Sequence, residues 1–181
     1  IEQDSEDPRY GTTVPVWLCR DYIEADETAL VIMGDQCLYR HDGGSEAADL
    51  MEAVRASGMQ AGMIGVEVPW EDVHRYGIIE TSTQGAFVAI HEKPSREAAP
   101  SNLNNASFYL LPFDFFAYVE QDMATPHGGE YMLTDAINSF VAGGSSILAS
   151  RSKGQYLDCG SVESWVGANK WLLERKRQGS S

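Results

Sequence analysis

The distribution of hydrophobic residues along the chain predicts strands that alternate with helices. Residues 29–33 (ALVIM) form a short apolar run closed by Gly34 and Asp35, as in a strand buried on both faces of a parallel sheet. A helix is predicted between Ser45, a typical N-cap, and Gly58, because the apolar residues between them recur at helical spacing. The first two elements are therefore a strand and an amphipathic helix that crosses to the next strand.

The rest of the pattern adds strands to the middle of the chain and two helices towards its end. Strands are predicted over residues 61–68, 77–80, 86–91 and 106–111. Residues 94–100 are polar and bounded by prolines, which predicts a surface loop. Apolar residues at helical spacing mark two helices, over 133–141 and 162–173. Together these elements predict one α/β domain over residues 1–181, with a Rossmann-like mixed, mainly parallel sheet flanked by helices.

Composition and charge argue against several classes of partner. The 181 residues are 43% hydrophobic, which is enough for one sizeable core. Thirteen basic residues against 27 acidic ones give a net charge of -14, so neither nucleic acid nor an anionic membrane is expected as a partner. No apolar run approaches the roughly 18 residues of a membrane span, and no signal peptide is visible, so a cytoplasmic protein is expected. Three widely spaced cysteines suggest neither a disulfide framework nor a zinc site.

Two aspartates follow short apolar segments that read as strands. Asp35 comes after ALVIMG, and Asp158 comes after QYL. Ligands of open α/β sheets bind at the carboxyl ends of strands, where these two carboxylates could hold one magnesium ion together. Taken alone, either aspartate would be an ordinary loop residue or a helix cap.

The tripeptide Glu92-Lys93-Pro94 ends a predicted strand and places an acceptor beside a cation. A carboxylate accepts hydrogen bonds from two neighbouring hydroxyls, and an ammonium group acts as a point charge on a phosphate. This combination suits a sugar phosphate. The alternative is a solvated Glu–Lys pair at a strand end.

Six short motifs occur in a recognisable order along the chain. They are GD at 34–35, RYG at 75–77, EKP at 92–94, APSNL at 99–103, LTDAI at 133–137 and DCG at 158–160. This order resembles the bacterial UTP:glucose-1-phosphate uridylyltransferase family, within the wider sugar-1-phosphate nucleotidyltransferases, over nearly the whole chain. The resemblance implies a fold of the nucleotide-diphospho-sugar transferase type and an enzyme that makes a UDP-sugar and pyrophosphate from UTP, or another NTP, and a sugar 1-phosphate. Glucose 1-phosphate is the expected acceptor, and homo-oligomers are common in that family.

The resemblance also implies roles for individual residues. Asp35 and Asp158 would bind Mg²⁺ as catalytic metal ligands. Gly77 and Glu92 would hold the sugar, and Lys93 would neutralise its phosphate during catalysis.

Further positions match the family less closely. Gln3 and Gly11 are similar to a segment that reads the pyrimidine base, since an amide can pair with a uracil edge and a glycine lets the backbone approach the ring; the alternative for Gln3 is a frayed terminus. Asn105 begins a stretch that resembles a strand passing under the sugar, where Ser107 stands in place of the usual glycine. Glu130 is either a further sugar contact or an acid that matches a helix start.

Two departures from the family pattern keep a second interpretation open. The glycine-rich GxGTRxxPxT loop that cradles the triphosphate does not occur in this sequence, and Gln155 stands where a lysine is frequent, which leaves Lys153 as the nearby cation. The sheet is therefore expected to lack its first strand and helix, leaving a central strand uncovered. The sequence is interpreted as part of a longer chain, with a truncated protein as the alternative. A non-catalytic nucleotide-sugar-binding or regulatory module is the rival function, although retention of the two aspartates and Lys93 favours the enzyme.

Overall fold

The computed structural model describes residues 7–125 and 129–178. Within these ranges the α-helices are α1 (Thr13–Cys19), α2 (Glu46–Ser57), α3 (Phe116–Ala124), α4 (Leu133–Ala142) and α5 (Val162–Gln178). The strands are β1 (Thr28–Ile32), β2 (Gln36–Tyr39), β3 (Ala61–Glu67), β4 (Gly77–Thr81), β5 (Phe87–Glu92), β6 (Leu103–Pro112), β7 (Ile147–Arg151) and β8 (Gln155–Asp158). Short 3₁₀ helices span Arg20–Tyr22, Trp70–Arg75 and Phe113–Phe115.

The described strands form a mixed six-stranded sheet and a separate two-stranded ribbon. The sheet order is β5-β4-β6-β3-β7, with β1 also paired to β6, and the ribbon consists of β2 and β8. Strand β6 runs antiparallel to β1, β3 and β4, and parallel pairing within the described ranges is confined to β3 and β7. The expectation of a mainly parallel sheet is therefore wrong. Parallel neighbours need a long crossover, whereas a short turn reverses the chain between β4 and β5.

Strand β1 confirms the predicted strand to within one residue but differs from it in burial. Its pairing with β6 runs from Thr28 opposite Pro112 to Ile32 opposite Phe108. Among the described residues no strand pairs with its second edge, and Leu30 and Ile32 are 42% and 48% exposed. Alternate side chains of β1 are thus exposed on one face of the sheet, and β1 is an edge strand among the described residues.

Local signals predicted the other elements well where the pattern was strong. The Ser45 hydroxyl caps α2 by accepting from the backbone N of Ala48 at 3.2 Å, and Gly58 ends that helix with a φ of 70°. Strands β3, β4 and β5 lie where they were predicted, and residues 94–100 form a loop. Strand β6 begins at Leu103 rather than at residue 106. Its additional residues bring Asn104 and Asn105 into the sheet.

Helices cover both faces of the sheet and leave the ends of several strands open. Helices α1, α3 and α4 enclose the larger core on one face, where Met63, Phe115 and Phe140 are buried. On the other face α2 places Leu50 and Val54 against β3 and β6. Within the described residues, no helix combines the length and the apolar character needed to cross a membrane.

Candidate active site

One cavity brings together five of the residues singled out in the sequence. Asp35, Gly77, Glu92, Lys93 and Asn105 all line it, and its volume is about 310 Å³. Its lining comes from β4, β5 and β6, from the residues that follow β1, and from the start of α4. The fold therefore places residues that lie far apart in the sequence on one surface.

The sugar-binding candidates are arranged by direct strand pairing. Gly77 lies opposite Glu92 in the antiparallel β4–β5 pair. A Cβ atom on Gly77 would lie 3.1 Å from Oε1 of Glu92 and 3.0 Å from Cγ2 of Ile90, so the carboxylate lies close over the β4 backbone, where a larger residue would displace these side chains. The backbone N of Lys93 donates to the carbonyl of Tyr76 at 2.9 Å, which extends the pairing to the lysine.

Two residues of the cavity have left-handed backbones. Lys93 has a φ of 44° and Ser107 a φ of 53°, and they are the non-glycine residues with positive φ in the described part of the chain. Such conformations are costly and cluster at functional sites. Ser107 lies within β6, where the pairing with β3 is irregular, and the Asn105 side chain accepts from the serine backbone N at 3.1 Å while its amide donates to the Tyr109 hydroxyl at 2.6 Å. The Asn105 amide is therefore engaged within the strand.

Asp158 does not line the cavity, but its carboxylate converges with that of Asp35, which lies in the turn between β1 and β2. A Cβ atom on Gly160 would lie 3.3 Å from Oδ2 of Asp35 and 3.3 Å from Oδ1 of Asp158, so the two carboxylates approach one point. The backbone N of Cys159 donates to the carbonyl of Asp35 at 2.8 Å, and Oδ1 of Asp158 accepts from the backbone N of Gly160 at 2.8 Å. These bonds hold the two turns beside each other.

This pair of carboxylates fits the way proteins bind Mg²⁺. The described residues contain no cluster of three or more histidine, cysteine or acidic side chains arranged for a metal ion. Magnesium is commonly bound by one or two carboxylates with the remaining ligands supplied by water and substrate phosphates. Asp35 and Asp158 can therefore hold the ion only together with such oxygens. Their metal-binding role remains a prediction.

The remaining candidates lie at the edge of the cavity or outside the described ranges. Gly11 has a φ of 118°, and a Cβ atom there would lie 2.3 Å from the Tyr131 carbonyl and 2.7 Å from Cγ of Glu130. Gly11 and Glu130 thus pack against each other, while the neighbouring Thr12 lines the cavity. Gln3 lies outside the described residues, and its predicted role in reading the base is untested.

Two tyrosines that the motifs did not single out for chemistry also line the cavity. The rings of Tyr76 and Tyr156 meet edge to face with centroids 6.4 Å apart. Burial raises the pKa of both phenols, so each remains a neutral hydrogen-bonding group near pH 7. The Tyr156 hydroxyl donates to Oε1 of Gln36, which also lines the cavity. The sequence did not indicate a role for them, because tyrosine is common both in strands, as at Tyr156, and in the segments that lead into strands, as at Tyr76.

The second cation of the cavity, beside Lys93, is not the lysine that the sequence indicated. Lys153 does not line the cavity, because its Nζ pairs with Oδ2 of Asp49 on α2 at 2.8 Å. Arg75 lines the cavity instead, with its guanidinium 5.5 Å from the centre of the Tyr76 ring and 3.6 Å from Oδ1 of Asp72. The cavity therefore has two cations, Lys93 and Arg75, beside its carboxylates.

The fold and the cavity define an α/β protein with a polar crevice at the ends of its strands. The chain belongs to the nucleotidyl transferase family, whose model matches residues 1–175. Among its relatives is the UTP–glucose-1-phosphate uridylyltransferase of Pseudomonas aeruginosa, 31% identical over 154 residues, which are 82% of this chain and 54% of the relative. The Bacillus subtilis enzyme of the same name is 37% identical over 128 residues, which are 67% of this chain and 41% of that protein.

Solved structures agree with this assignment. A UDP-glucose pyrophosphorylase complexed with UDP-glucose superposes with a TM-score of 0.80 at 26% identity, covering 94% of this chain and 64% of that one. A glucose-1-phosphate adenylyltransferase of Halalkalibacterium halodurans is also related, at 27% identity over 167 residues, 91% of this chain and 42% of the relative. The family therefore includes enzymes that use different nucleotides. The chain spans about half the length of the curated relatives that it matches.

Proposed function

We propose that this protein transfers a uridylyl group from UTP to glucose 1-phosphate, forming UDP-glucose and pyrophosphate. The observation that carries the proposal is the cavity lined by Asp35, Gly77, Glu92 and Lys93, with the Asp158 carboxylate converging on that of Asp35. Relatives with this named activity, at 31% and 37% identity, support the choice of substrates.

In the proposed reaction, a phosphate oxygen of the sugar 1-phosphate attacks the α-phosphorus of UTP. A phosphorus–oxygen bond forms there, and the bond from that phosphorus to the oxygen bridging to the β-phosphorus breaks, so pyrophosphate leaves. Lys93, with Arg75 nearby, offsets the negative charge of the acceptor phosphate. Glu92 accepts hydrogen bonds from sugar hydroxyls over the Gly77 backbone. Positioning and charge neutralisation then supply most of the rate enhancement.

The acidic side chains of the site explain why a metal ion belongs in the proposal. Asp35, Glu92 and Asp158 carry three negative charges close to where two phosphate-bearing substrates would meet, whereas Lys93 and Arg75 carry two positive charges. Asp35 and Asp158 would hold Mg²⁺, which when bound supplies positive charge to the phosphate oxygens. This role follows from the donor chemistry of the two carboxylates.

The test is pyrophosphate release by the protein with magnesium, glucose 1-phosphate and UTP, dTTP, CTP, ATP or GTP in turn. We expect release with UTP, since the two matched enzymes named above use it. Release with a different nucleotide alone would support a nucleotidyltransferase whose donor is that nucleotide rather than UTP. If no pyrophosphate is released with any of the five nucleotides but UDP-glucose still binds, the result would instead support a non-catalytic binding module.

A further inference from the structure

The cavity contains two buried polar groups that have no hydrogen-bond partner. Nδ2 of Asn104 and Oγ1 of Thr134 are unpaired, and both residues line the cavity. The residues are 2% and 7% exposed, and the two atoms are themselves buried. Buried polar groups are nearly always paired because an unpaired one lowers stability, so two such groups around one cavity require an explanation.

The two groups lie on different walls. Asn104 belongs to β6 and lies opposite Ile78 of β4. Thr134 is the second residue of α4, whose first residue donates its backbone N to the Thr12 hydroxyl at 2.9 Å. An occupant of the cavity would therefore meet one group from the sheet and the other from the start of a helix.

Rotation about side-chain bonds is the movement by which the two groups would reach a ligand in the cavity. A half-turn of the Asn104 amide exchanges its nitrogen and oxygen while keeping the shape of the side chain. Hydrogen bonding from the Asn104 side chain lowers the pKa of the Tyr156 phenol against the larger effect of burial, but Nδ2 does not meet the phenol with the geometry of a full hydrogen bond. A threonine hydroxyl changes partner by rotation about a single bond. Small rotations would pair both groups with a ligand.

The chemistry of the two groups indicates which part of a ligand they contact. An amide and a hydroxyl are neutral and can donate or accept, which suits sugar hydroxyls, whereas Lys93 and Arg75 provide the charge that suits a phosphate. We propose that Asn104 and Thr134 are specificity-determining residues that hydrogen-bond hydroxyl groups of the sugar 1-phosphate. This inference rests on the proposed function, because it takes the sugar phosphate as the occupant of the cavity.

The test uses replacements of matched shape without polar atoms, Asn104→Leu and Thr134→Val. Thr13→Val is the control, because the Thr13 hydroxyl is also buried and unpaired but its residue does not line the cavity. Affinity for glucose 1-phosphate and for UDP-glucose is measured by calorimetry, and stability by thermal melting. We expect all three variants to melt at or above the temperature of the unsubstituted protein, since each loses an unpaired buried group. Asn104→Leu and Thr134→Val should bind glucose 1-phosphate about 10-fold more weakly, and Thr13→Val should bind it normally.

Deoxyglucose 1-phosphates that each lack one hydroxyl give a readout that a structural role would not change. The unsubstituted protein should prefer glucose 1-phosphate over the analogue that lacks the contacted hydroxyl, and the matching variant should lose that preference. The inference would be overturned if Asn104→Leu and Thr134→Val both bound glucose 1-phosphate with unchanged affinity. It would also be overturned if a variant melted at a lower temperature and still discriminated between glucose 1-phosphate and the deoxy analogues as the unsubstituted protein does. If the unsubstituted protein binds neither glucose 1-phosphate nor UDP-glucose, the proposed function itself fails. The two failures are therefore distinct.

Discussion

Two polar regions of the molecule are built in opposite ways. The first is the α2 cluster, which consists of Arg40, Asp42, Glu46, Asp49 and Lys153. Its buried groups are paired. Glu46 is 8% exposed, and its Oε1 accepts hydrogen bonds from the Ser152 hydroxyl at 2.9 Å and from the backbone N of Lys153 at 3.1 Å. Arg40 pairs with Asp49 at 2.9 Å and with Asp42 at 2.5 Å, and the hydrogen bonds from the Arg40 guanidinium hold the pKa of Asp42 below its usual range.

The cavity shows the reverse arrangement. Two of its residues, Lys93 and Ser107, have left-handed backbones, and Asn104 and Thr134 have unpaired buried groups. A satisfied polar network joins α2 to the β7–β8 turn and stabilises the chain, whereas unpaired groups and strain are retained where a ligand is to be bound. The two regions therefore differ in how completely their polar groups are paired, although the unpaired Thr13 hydroxyl shows that such a group also occurs outside the cavity.

The strongest test of this contrast removes the charge of one of the two converging aspartates while keeping the shape of its side chain. We expect Asp35→Asn or Asp158→Asn to lower the rate of pyrophosphate release by at least about 100-fold, because an amide is a poor ligand for Mg²⁺. The melting temperature should change little, since an asparagine at 158 can still accept from the backbone N of Gly160. Asp26→Asn, in an exposed turn, is the control and should turn over normally. Full turnover by Asp158→Asn would contradict the metal assignment.

Substitutions in the α2 cluster should change the stability of the protein. Glu46→Ala leaves the Ser152 hydroxyl and the backbone N of Lys153 without their acceptor, so the free energy of unfolding should fall by about 2 kcal/mol. Urea unfolding measures this change. Glu52→Ala, on an exposed part of the same helix, should alter stability by no more than about 0.5 kcal/mol. Equal effects of the two substitutions would mean that the cluster contributes little.

The smallest expected effect concerns strain in the cavity. Ser107→Gly should raise the free energy of unfolding by about 0.5 kcal/mol, because relief of a left-handed serine outweighs the conformational entropy that glycine loses on folding. Ser139→Gly, in an exposed position within α4, should change stability in the opposite direction. Urea unfolding compares both variants. If Ser107→Gly were less stable than the unsubstituted protein, the backbone at Ser107 would not be strained.

The sequence pattern predicted the elements whose hydrophobic residues recur with a clear helical or strand period, and it missed the elements without such a period. Helix α2 has a cap, an apolar face and a terminal glycine, and it was confirmed nearly residue for residue. Helix α1, with seven residues, is too short to show a helical period, and its place depends on packing against α3. Helix α3 and the strands β2 and β7 were likewise not predicted, since their burial is set by neighbours remote in sequence.

The sequence by itself determined the stronger secondary-structure elements and the ordered motifs that indicated the family, because both depend on residues close together along the chain. Only the tertiary structure decided that β6 runs antiparallel to three neighbours, that Asp35 and Asp158 converge at Gly160, and that Asn104 and Thr134 are unpaired. Strand direction and hydrogen-bond pairing are properties of contacts between distant segments, so no local pattern could have specified them.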